Sequence, residues 1–217
     1  MEIRPILSTL LRHKTAATLI VLQLALTCAI ICNALFMIGD RLQQVGEVSG
    51  IAEDELVRVQ IVPVGGDANA EAQTRSDLAV LRGLPGVTAA TSVNQVPFVN
   101  SSWNSSVNLR PGQEQPTLNA SNYMADEQFV ETFGLTLVGG RGFLPDEYIT
   151  FEAINAAGDA AVIPSVLITR VMAERLFPGE DPLGKTIYVF GDAPTRVVGV
   201  VEHLVRPGNQ GGPTARE

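Results

Sequence analysis

The chain has 217 residues, 46% of them hydrophobic, and a formal net charge of −8. The charge is unevenly placed, because three basic residues precede the one long apolar stretch and only a single lysine, Lys185, follows it. An acidic domain so poor in lysine is a poor match to the phosphates of nucleic acid. We therefore exclude DNA and RNA as partners.

Residues 15–38 contain no charged side chain. A helix of this length covers about 36 Å, against a hydrocarbon core of about 30 Å. A cleaved signal peptide would have a shorter apolar core and a small-residue cleavage site, so a transmembrane helix is the better interpretation. Arg12, His13 and Lys14 precede the span, and the positive-inside rule then places the N-terminus in the cytoplasm.

Two polar side chains interrupt the span. Gln23 and Asn33 would be costly facing lipid, so each is predicted to face another helix. Cys28 and Cys32 are four residues apart and share one helix face. Packing by small polarizable side chains is the simpler interpretation of these cysteines than a metal or redox pair.

The segments on either side of the span are predicted to differ in character. Residues 1–14 place apolar side chains at helical spacing, which predicts a cytoplasmic amphipathic helix lying on the membrane lipid. A plain continuation of the membrane helix is the alternative, and the basic residues of this segment disfavour it. Residues 39–55 are predicted to form a stalk that leads out of the membrane.

Residues 56–205 predict a mixed-sheet α/β domain outside the cytoplasm, and residues 206–217 a loop-like tail. Alternation and valine content predict strands over 56–62, 87–93, 117–124, 135–138, 160–168, 185–190 and 195–203. Helical spacing and stop signals predict helices over 70–82, 126–133 and 169–177. The first two strands and the helix between them form a predicted β-α-β unit, and the last two strands a predicted hairpin.

Residues 94–115 are predicted to form a long polar loop, whose only large apolar side chains are Phe98 and Trp103. A loop of this length is usually functional or disordered. The two aromatic side chains are therefore a candidate surface for a partner or substrate. A rim tryptophan that covers the core is an equally good interpretation of Trp103.

Residues 179–186, GEDPLGKT, match the phosphate-binding P-loop pattern letter for letter. That mechanism needs a strand before the loop and a helix after it, whereas a helix is predicted before it and a strand after it. Glu180 and Asp181 would repel phosphate, and Pro182 has no N–H to donate. We therefore predict a helix-to-strand turn and no nucleotide site.

No catalytic, cofactor-binding or metal site is predicted. His13 and His203 have no neighbours at ligand spacing, and no serine or cysteine has a base nearby in sequence.

Three blocks of sequence resemble those of MacB-like, FtsX-like ABC transporter permeases. They are FVETFGLTLVGGRGF at 129–143, VLITRVMAERLFPGEDPLGKTI at 166–187 and VVGVVEHL at 197–204. The positions that match the motifs, which we expect to be structural, are Gly134, Gly140, Arg141, Phe143, Phe177, Pro182, Gly184 and Lys185. The order of the blocks and the preceding membrane span agree with the family's arrangement.

This resemblance implies a permease subunit of the cell inner membrane, with no cofactor of its own and a two-lobed periplasmic core domain. It implies a cytoplasmic ABC ATPase as partner, a dimer of permeases, and a periplasmic adaptor. ATP hydrolysis by the ATPase would then move the outer domain for export or efflux. Members of the family have four membrane helices, so we expect the core domain to be incomplete here and the chain to be a piece of a longer protein.

Two other functions remain open at this stage. A membrane-anchored binding or sensor module would need neither an ATPase nor further helices. An anchored hydrolase is the weaker alternative, because the sequence offers no catalytic constellation.

Overall fold

A computed structural model describes residues 14–45, 48–62, 69–99, 103–158 and 161–207. The chain divides into two units, Met1–Glu47 and Val48–Glu217. The predicted amphipathic helix over 1–14 lies outside the described residues except for Lys14, and so does the predicted tail from residue 208 onward. The predicted domain boundaries stay predictions.

The first unit is described as one long helix, α1, over Lys14–Val45. Its first 29 residues, Lys14–Leu42, contain a window of mean hydropathy 2.3 that is not buried within the chain. Among the described residues, α1 is the only helix long and apolar enough to cross a membrane. The hydroxyls of Thr18 and Thr27 donate to carbonyls one turn earlier, which hides both groups from an apolar surrounding. The predicted N-terminal apolar helix is confirmed.

The second unit begins with a short 3₁₀ turn, Glu53–Glu55, and an extended segment over 56–62. The strand predicted at 56–62 is wrong, because no other described segment pairs with it and its valines face solvent. Helix α2, Ala70–Arg82, is confirmed and ends at Gly83. The strand predicted at 87–93 is also wrong, since only an isolated bridge between Val93 and Ala125 forms there. The predicted β-α-β unit is therefore absent from the described residues.

A two-stranded antiparallel ribbon follows. Strand β1, Asn104–Val107, pairs with β2, Leu118–Ser121, in the register Asn104↔Ser121 to Val107↔Leu118. Strand β1 lies inside the segment predicted to be a loop. Its asparagine and two serines are poor strand formers, which conceals the strand from sequence analysis.

The main sheet has four strands arranged around β6, Thr195–Val201. On β6, β4 (Ser165–Thr169) pairs in parallel, while β3 (Leu137–Gly140) and β5 (Thr186–Ile187) pair antiparallel. Three helices accompany these strands: α3, Phe129–Thr132; α4, Phe151–Ala157; and α5, Arg170–Leu176. A second 3₁₀ turn covers Pro145–Glu147. The predicted mixed sheet is confirmed, and so are the antiparallel β5–β6 pair and the helix before it; α4 was not predicted.

Two clusters of buried side chains form the core. The first joins the ribbon, β4, β5, β6 and α5 through Val107, Leu118, Ala120, Ile168, Met172, Ala173, Leu176, Ile187, Val197 and Val200. The second is smaller and comprises Phe133, Leu135, Val201 and Leu204. Strand β6 contributes to both clusters because its successive side chains point to opposite faces of the sheet. It therefore joins the two clusters through one short segment of backbone.

Two glycines allow the paired strands β3 and β6 to lie close together. A Cβ on Gly140 would lie 2.2 Å from the Val198 carbonyl oxygen, and one on Gly199 would lie 2.4 Å from the Arg141 carbonyl oxygen. Gly140 also has a φ of +71°, which other residues adopt at a cost. The family-motif glycine at position 140 is thus required by backbone packing.

We predict that Gly140→Ala lowers the free energy of unfolding by about 2–4 kcal/mol, since it adds both a clash and backbone strain. Denaturant unfolding of the domain would measure this loss. Gly142→Ala is the matched control, because a Cβ there meets nothing within 4 Å. Equal stability of the two variants would contradict the prediction.

Candidate functional site

The family-motif residues of 177–185 lie in one turn between α5 and β5. Lys185 Nζ makes an ion pair with Glu180 and lies 4.9 Å from the centroid of the Phe177 ring. The Pro182 carbonyl accepts a hydrogen bond from the Lys185 N–H at 3.2 Å. Gly184 has a φ of +76° and donates its N–H to the Val197 carbonyl at 2.8 Å. The turn thereby fixes the start of β5 against β6.

This turn is not built to hold phosphate. The N–H groups of Glu180, Gly184 and Lys185 already donate to backbone carbonyls, and that of Leu183 donates to Asp181 Oδ1. A phosphate cradle needs such N–H groups directed outward. The order of helix, turn and strand is the one the sequence predicts. Residues 179–186 therefore match the P-loop pattern in sequence but not in structure.

Arg141, the arginine of the sequence block at 129–143, forms a bidentate ion pair with Glu147. Both guanidinium–carboxylate distances are 2.7 Å. Glu147 also accepts hydrogen bonds from the Ser165 hydroxyl at 2.6 Å and from the Leu144 N–H at 2.7 Å. The cluster thus connects the end of β3, the second 3₁₀ turn and the start of β4. Glu147 and Ser165 were not singled out from the sequence, although Glu147 lies only six residues after Arg141.

The Arg141 hydrogen bonds, together with those from Ser165 and Leu144, lower the pKa of Glu147 from its ordinary value of 4.5 to about 2. A carboxyl whose pKa is lower in the folded state stabilises the fold above its unfolded pKa. That stabilisation is lost as the pH falls through the folded pKa. The Glu147 contribution is therefore complete above about pH 5 and disappears towards pH 2.

We predict that Glu147→Gln lowers the thermal midpoint at pH 7 and leaves it nearly unchanged near pH 2, where the native carboxyl is also neutral. Thermal unfolding from pH 2 to pH 7 would measure the difference. Glu152→Gln serves as the control, because Glu152 forms no ion pair among the described residues. A midpoint difference that is independent of pH would show that the ion pair is not its source.

The remaining motif residues, Phe143 and Gly134, lie in close packing contacts. The Phe143 ring packs edge-on against Tyr148, with centroids 5.7 Å apart. Gly134 has a φ of +64°, and a Cβ there would lie 3.0 Å from the Ala52 side chain. These contacts explain the motif residues by packing and backbone conformation; the functional meaning of these positions stays a prediction.

A second polar cluster, which was not predicted from the sequence, joins α2 to the segment before α3. Arg82 donates to the Ala90 carbonyl and, at 3.1 Å, to Asp126. Asp126 also accepts from the Thr91 hydroxyl at 2.6 Å and from the Ser92 N–H at 3.3 Å. Asp126 is 34 to 44 residues away along the chain from Arg82, Thr91 and Ser92, so no local pattern could reveal these contacts.

A cavity of about 1100 Å³ lies between the ribbon, α2, α4 and the main sheet. Its apolar walls include Leu78, Val107, Phe129, Ile168, Met172 and Leu204, and its charged walls include Arg82, Asp126 and Glu147. The cavity is large enough for a drug-sized molecule. Arg82, Asp126 and Glu147 each take part in one of the polar clusters described above. Their hydrogen bonds connect elements on different sides of the cavity.

The predicted surface residues do not line this cavity. Phe98 is 51% exposed and has a φ of +61°, unusual for a residue other than glycine. Trp103 is 47% exposed and packs edge-on against Phe151, with centroids 5.8 Å apart. A role of either residue in partner or substrate binding stays a prediction.

Gln23 and Asn33 are both exposed on α1. At 100° per residue they point about 80° apart around the helix axis, so one neighbouring helix or two could contact them. Their predicted contacts stay a prediction. The described residues include no group of three His, Cys, Asp or Glu side chains placed to hold a metal ion.

An apolar helix of membrane length followed by a mixed α/β domain defines a membrane-anchored protein. The model of one protein family, the MacB-like periplasmic core domain, matches residues 17–215. The chain therefore belongs to the MacB-like ABC transporter permease family, as the three sequence blocks predict.

Solved structures give three distant likenesses. The periplasmic region of MacB from Actinobacillus actinomycetemcomitans is 23% identical, with a TM-score of 0.36 over 59% of this chain and 50% of that one. The extracellular domain of the noncanonic ABC-type transporter YknZ from Gram-positive bacteria is 20% identical, with a TM-score of 0.38 over 62% and 63%. A permease-protein domain from Porphyromonas gingivalis is 21% identical, with a TM-score of 0.36 over 58% and 44%.

The chain thus spans between 44% and 63% of the solved chains it resembles. No curated protein matches it.

Proposed function

We propose that this protein is the permease subunit of a MacB-type exporter, in which a cytoplasmic ABC ATPase drives movement of the periplasmic core domain. The observation that carries the proposal is the direct succession of a membrane-length helix, α1, and a MacB-like core domain along one chain. Family membership supports an ATPase as the source of that movement.

Within this assembly, α1 packs against other membrane helices. Gln23 and Asn33 support such contacts, because an amide side chain is more stable against another helix than against lipid. The assembly contains two permease subunits and a periplasmic adaptor, for which the exposed Phe98 and Trp103 are the candidate surface.

The orientation follows from Arg12, His13 and Lys14, which hold the N-terminus on the cytoplasmic side. We predict that a cysteine introduced at Ser8 is labelled by an impermeant thiol reagent only after the membrane is opened. A cysteine at the exposed Arg110 is labelled in intact spheroplasts. Replacing Cys28 and Cys32 by alanine removes the background. Labelling of both positions from the same side would overturn the orientation.

The ATPase coupling is tested by purifying the full-length protein together with a candidate ABC ATPase encoded beside it. We expect the two to co-purify, and the ATPase rate of the reconstituted complex to change severalfold relative to the ATPase alone. An ATPase variant without its catalytic glutamate is the control for contaminating activity.

The same experiment separates the alternative function. A membrane-anchored binding or sensor module would be recovered without an ATPase and would leave the ATPase rate unchanged. Either of those results would refute the exporter proposal.

A further inference from the structure

The large cavity is lined by aromatic side chains as well as by aliphatic ones. Two aromatic pairs lie in its walls: Phe143 packs against Tyr148 at a centroid distance of 5.7 Å, and Tyr123 against Phe129 at 5.9 Å. Phe151, the first residue of α4, lines it as well. Aromatic rings bury apolar surface and attract a cation placed over the ring face. The walls therefore suit a ligand that combines an apolar body with a positive charge.

The charged side chains of the cavity leave an excess of negative charge. Three of its carboxylates are held in ion pairs with arginines, namely Glu71–Arg75, Asp126–Arg82 and Glu147–Arg141. Two further carboxylates, those of Glu127 and Glu152, line the cavity and form no ion pair among the described residues. Arg206 also lines it and donates to Ser121 at 3.1 Å and to Asn104 at 3.4 Å. Two carboxylates therefore remain against one guanidinium.

Glu127 and Glu152 lie at the mouth of the cavity. Glu127 precedes α3, and Glu152 lies in the first turn of α4. Both residues are exposed although they line the cavity, so they are placed where it opens to water. Burial raises the pKa of the Tyr148 hydroxyl in the wall, and the carboxylates of Glu127, Asp126 and Glu147 raise it further. A negative field that disfavours the phenolate favours a cation in the same place.

We propose that this cavity binds a drug-sized organic cation, whose apolar body contacts the aromatic walls and whose positive charge lies beside Glu127 and Glu152. The volume of about 1100 Å³ accommodates a ligand of several rings. The described residues include no group of three His, Cys, Asp or Glu side chains placed to hold a metal ion, so the excess charge favours an organic cation. The role of this cation as the exported substrate rests on the proposed function, whereas its binding does not.

The test uses the full-length protein in lipid nanodiscs and the rigid cation tetraphenylphosphonium as the probe. Tetraphenylborate has nearly the same shape and the opposite charge, so the pair isolates the electrostatic part of binding. Calorimetric titration, corrected with empty nanodiscs, should give an affinity for the cation at least about tenfold higher than that for the anion. Equal affinities, or no binding of the cation, would overturn the proposal.

Removal of the two carboxylates tests their role in binding. The double variant Glu127→Gln, Glu152→Gln keeps the size of both side chains, and we expect it to bind the cation at least about tenfold more weakly. Its affinity for tetraphenylborate should not fall. The matched control is Glu114→Gln, Glu174→Gln, because both of these glutamates are exposed and neither lines the cavity. An unchanged cation affinity in the first variant, or an equal loss in the control, would contradict the proposal.

A bulky side chain inside the cavity tests where the probe lies. Ile154 on α4 is half-buried and lines the cavity, so Ile154→Trp fills part of the space. We expect it to weaken binding of both probes at least about fivefold, since less room remains for either. Val162→Trp is the control, because Val162 is 59% exposed and does not line the cavity. Equal binding by the two variants would place the probe on the surface and refute the cavity as its site.

Failure of the proposed function gives a different result from failure of this site. If the protein does not work with an ATPase, the cation still binds and still depends on Glu127 and Glu152, but it leaves the ATPase rate unchanged. The binding site then stands, and its role in export is refuted. If the protein couples to an ATPase but does not bind the cation, the proposed function stands and the site is refuted.

Discussion

The pairing of β6 with three other strands is the constraint on which the rest of the outer domain depends. Strand β6 is seven residues long, yet it carries both parallel and antiparallel partners and contributes side chains to both buried clusters. Where β6 pairs with β3, the close contacts at Gly140 and Gly199 leave no room for a Cβ atom. Elements at the periphery of the sheet, such as the motif turn and the Arg141–Glu147 pair, fix strands relative to β6.

Ion pairs and hydrogen-bonded clusters lie where elements join, at Arg82 and Asp126 and again at Arg141 and Glu147. Each of them holds backbone segments from different elements together. The large cavity adds space between these joined elements. Three of its charged side chains, Arg82, Asp126 and Glu147, are held in ion pairs, whereas the cavity is also lined by the carboxylates of Glu127 and Glu152.

Patterns of neighbouring residues predicted several helices and strands of this structure. They did not predict strand partners or contacts between distant residues. The membrane helix, α2, α5 and the β5–β6 hairpin follow from hydropathy, helical spacing and turn residues close in sequence. The strands predicted at 56–62 and 87–93 failed because alternation reports strand propensity and cannot report whether a partner is present. Strand β1 was missed for the opposite reason, since its asparagine and serines pair despite a weak propensity. The clusters around Glu147 and Asp126 depend on contacts between distant residues, which no single sequence reveals.

The unpaired segment 56–62 has a consequence for laboratory work on the isolated domain. Val57 is 86% exposed and Val62 72% exposed, on an extended backbone whose N–H and C=O groups have no ladder partner among the described residues. Such a segment is a template for strand addition by another chain. Domain preparations made without the membrane helix are therefore at risk of forming soluble oligomers and then aggregates as the concentration rises. Substitution of Val57 or Val59 by lysine would disfavour the pairing of this segment with another chain. Both valines are exposed, so the buried core would be little affected.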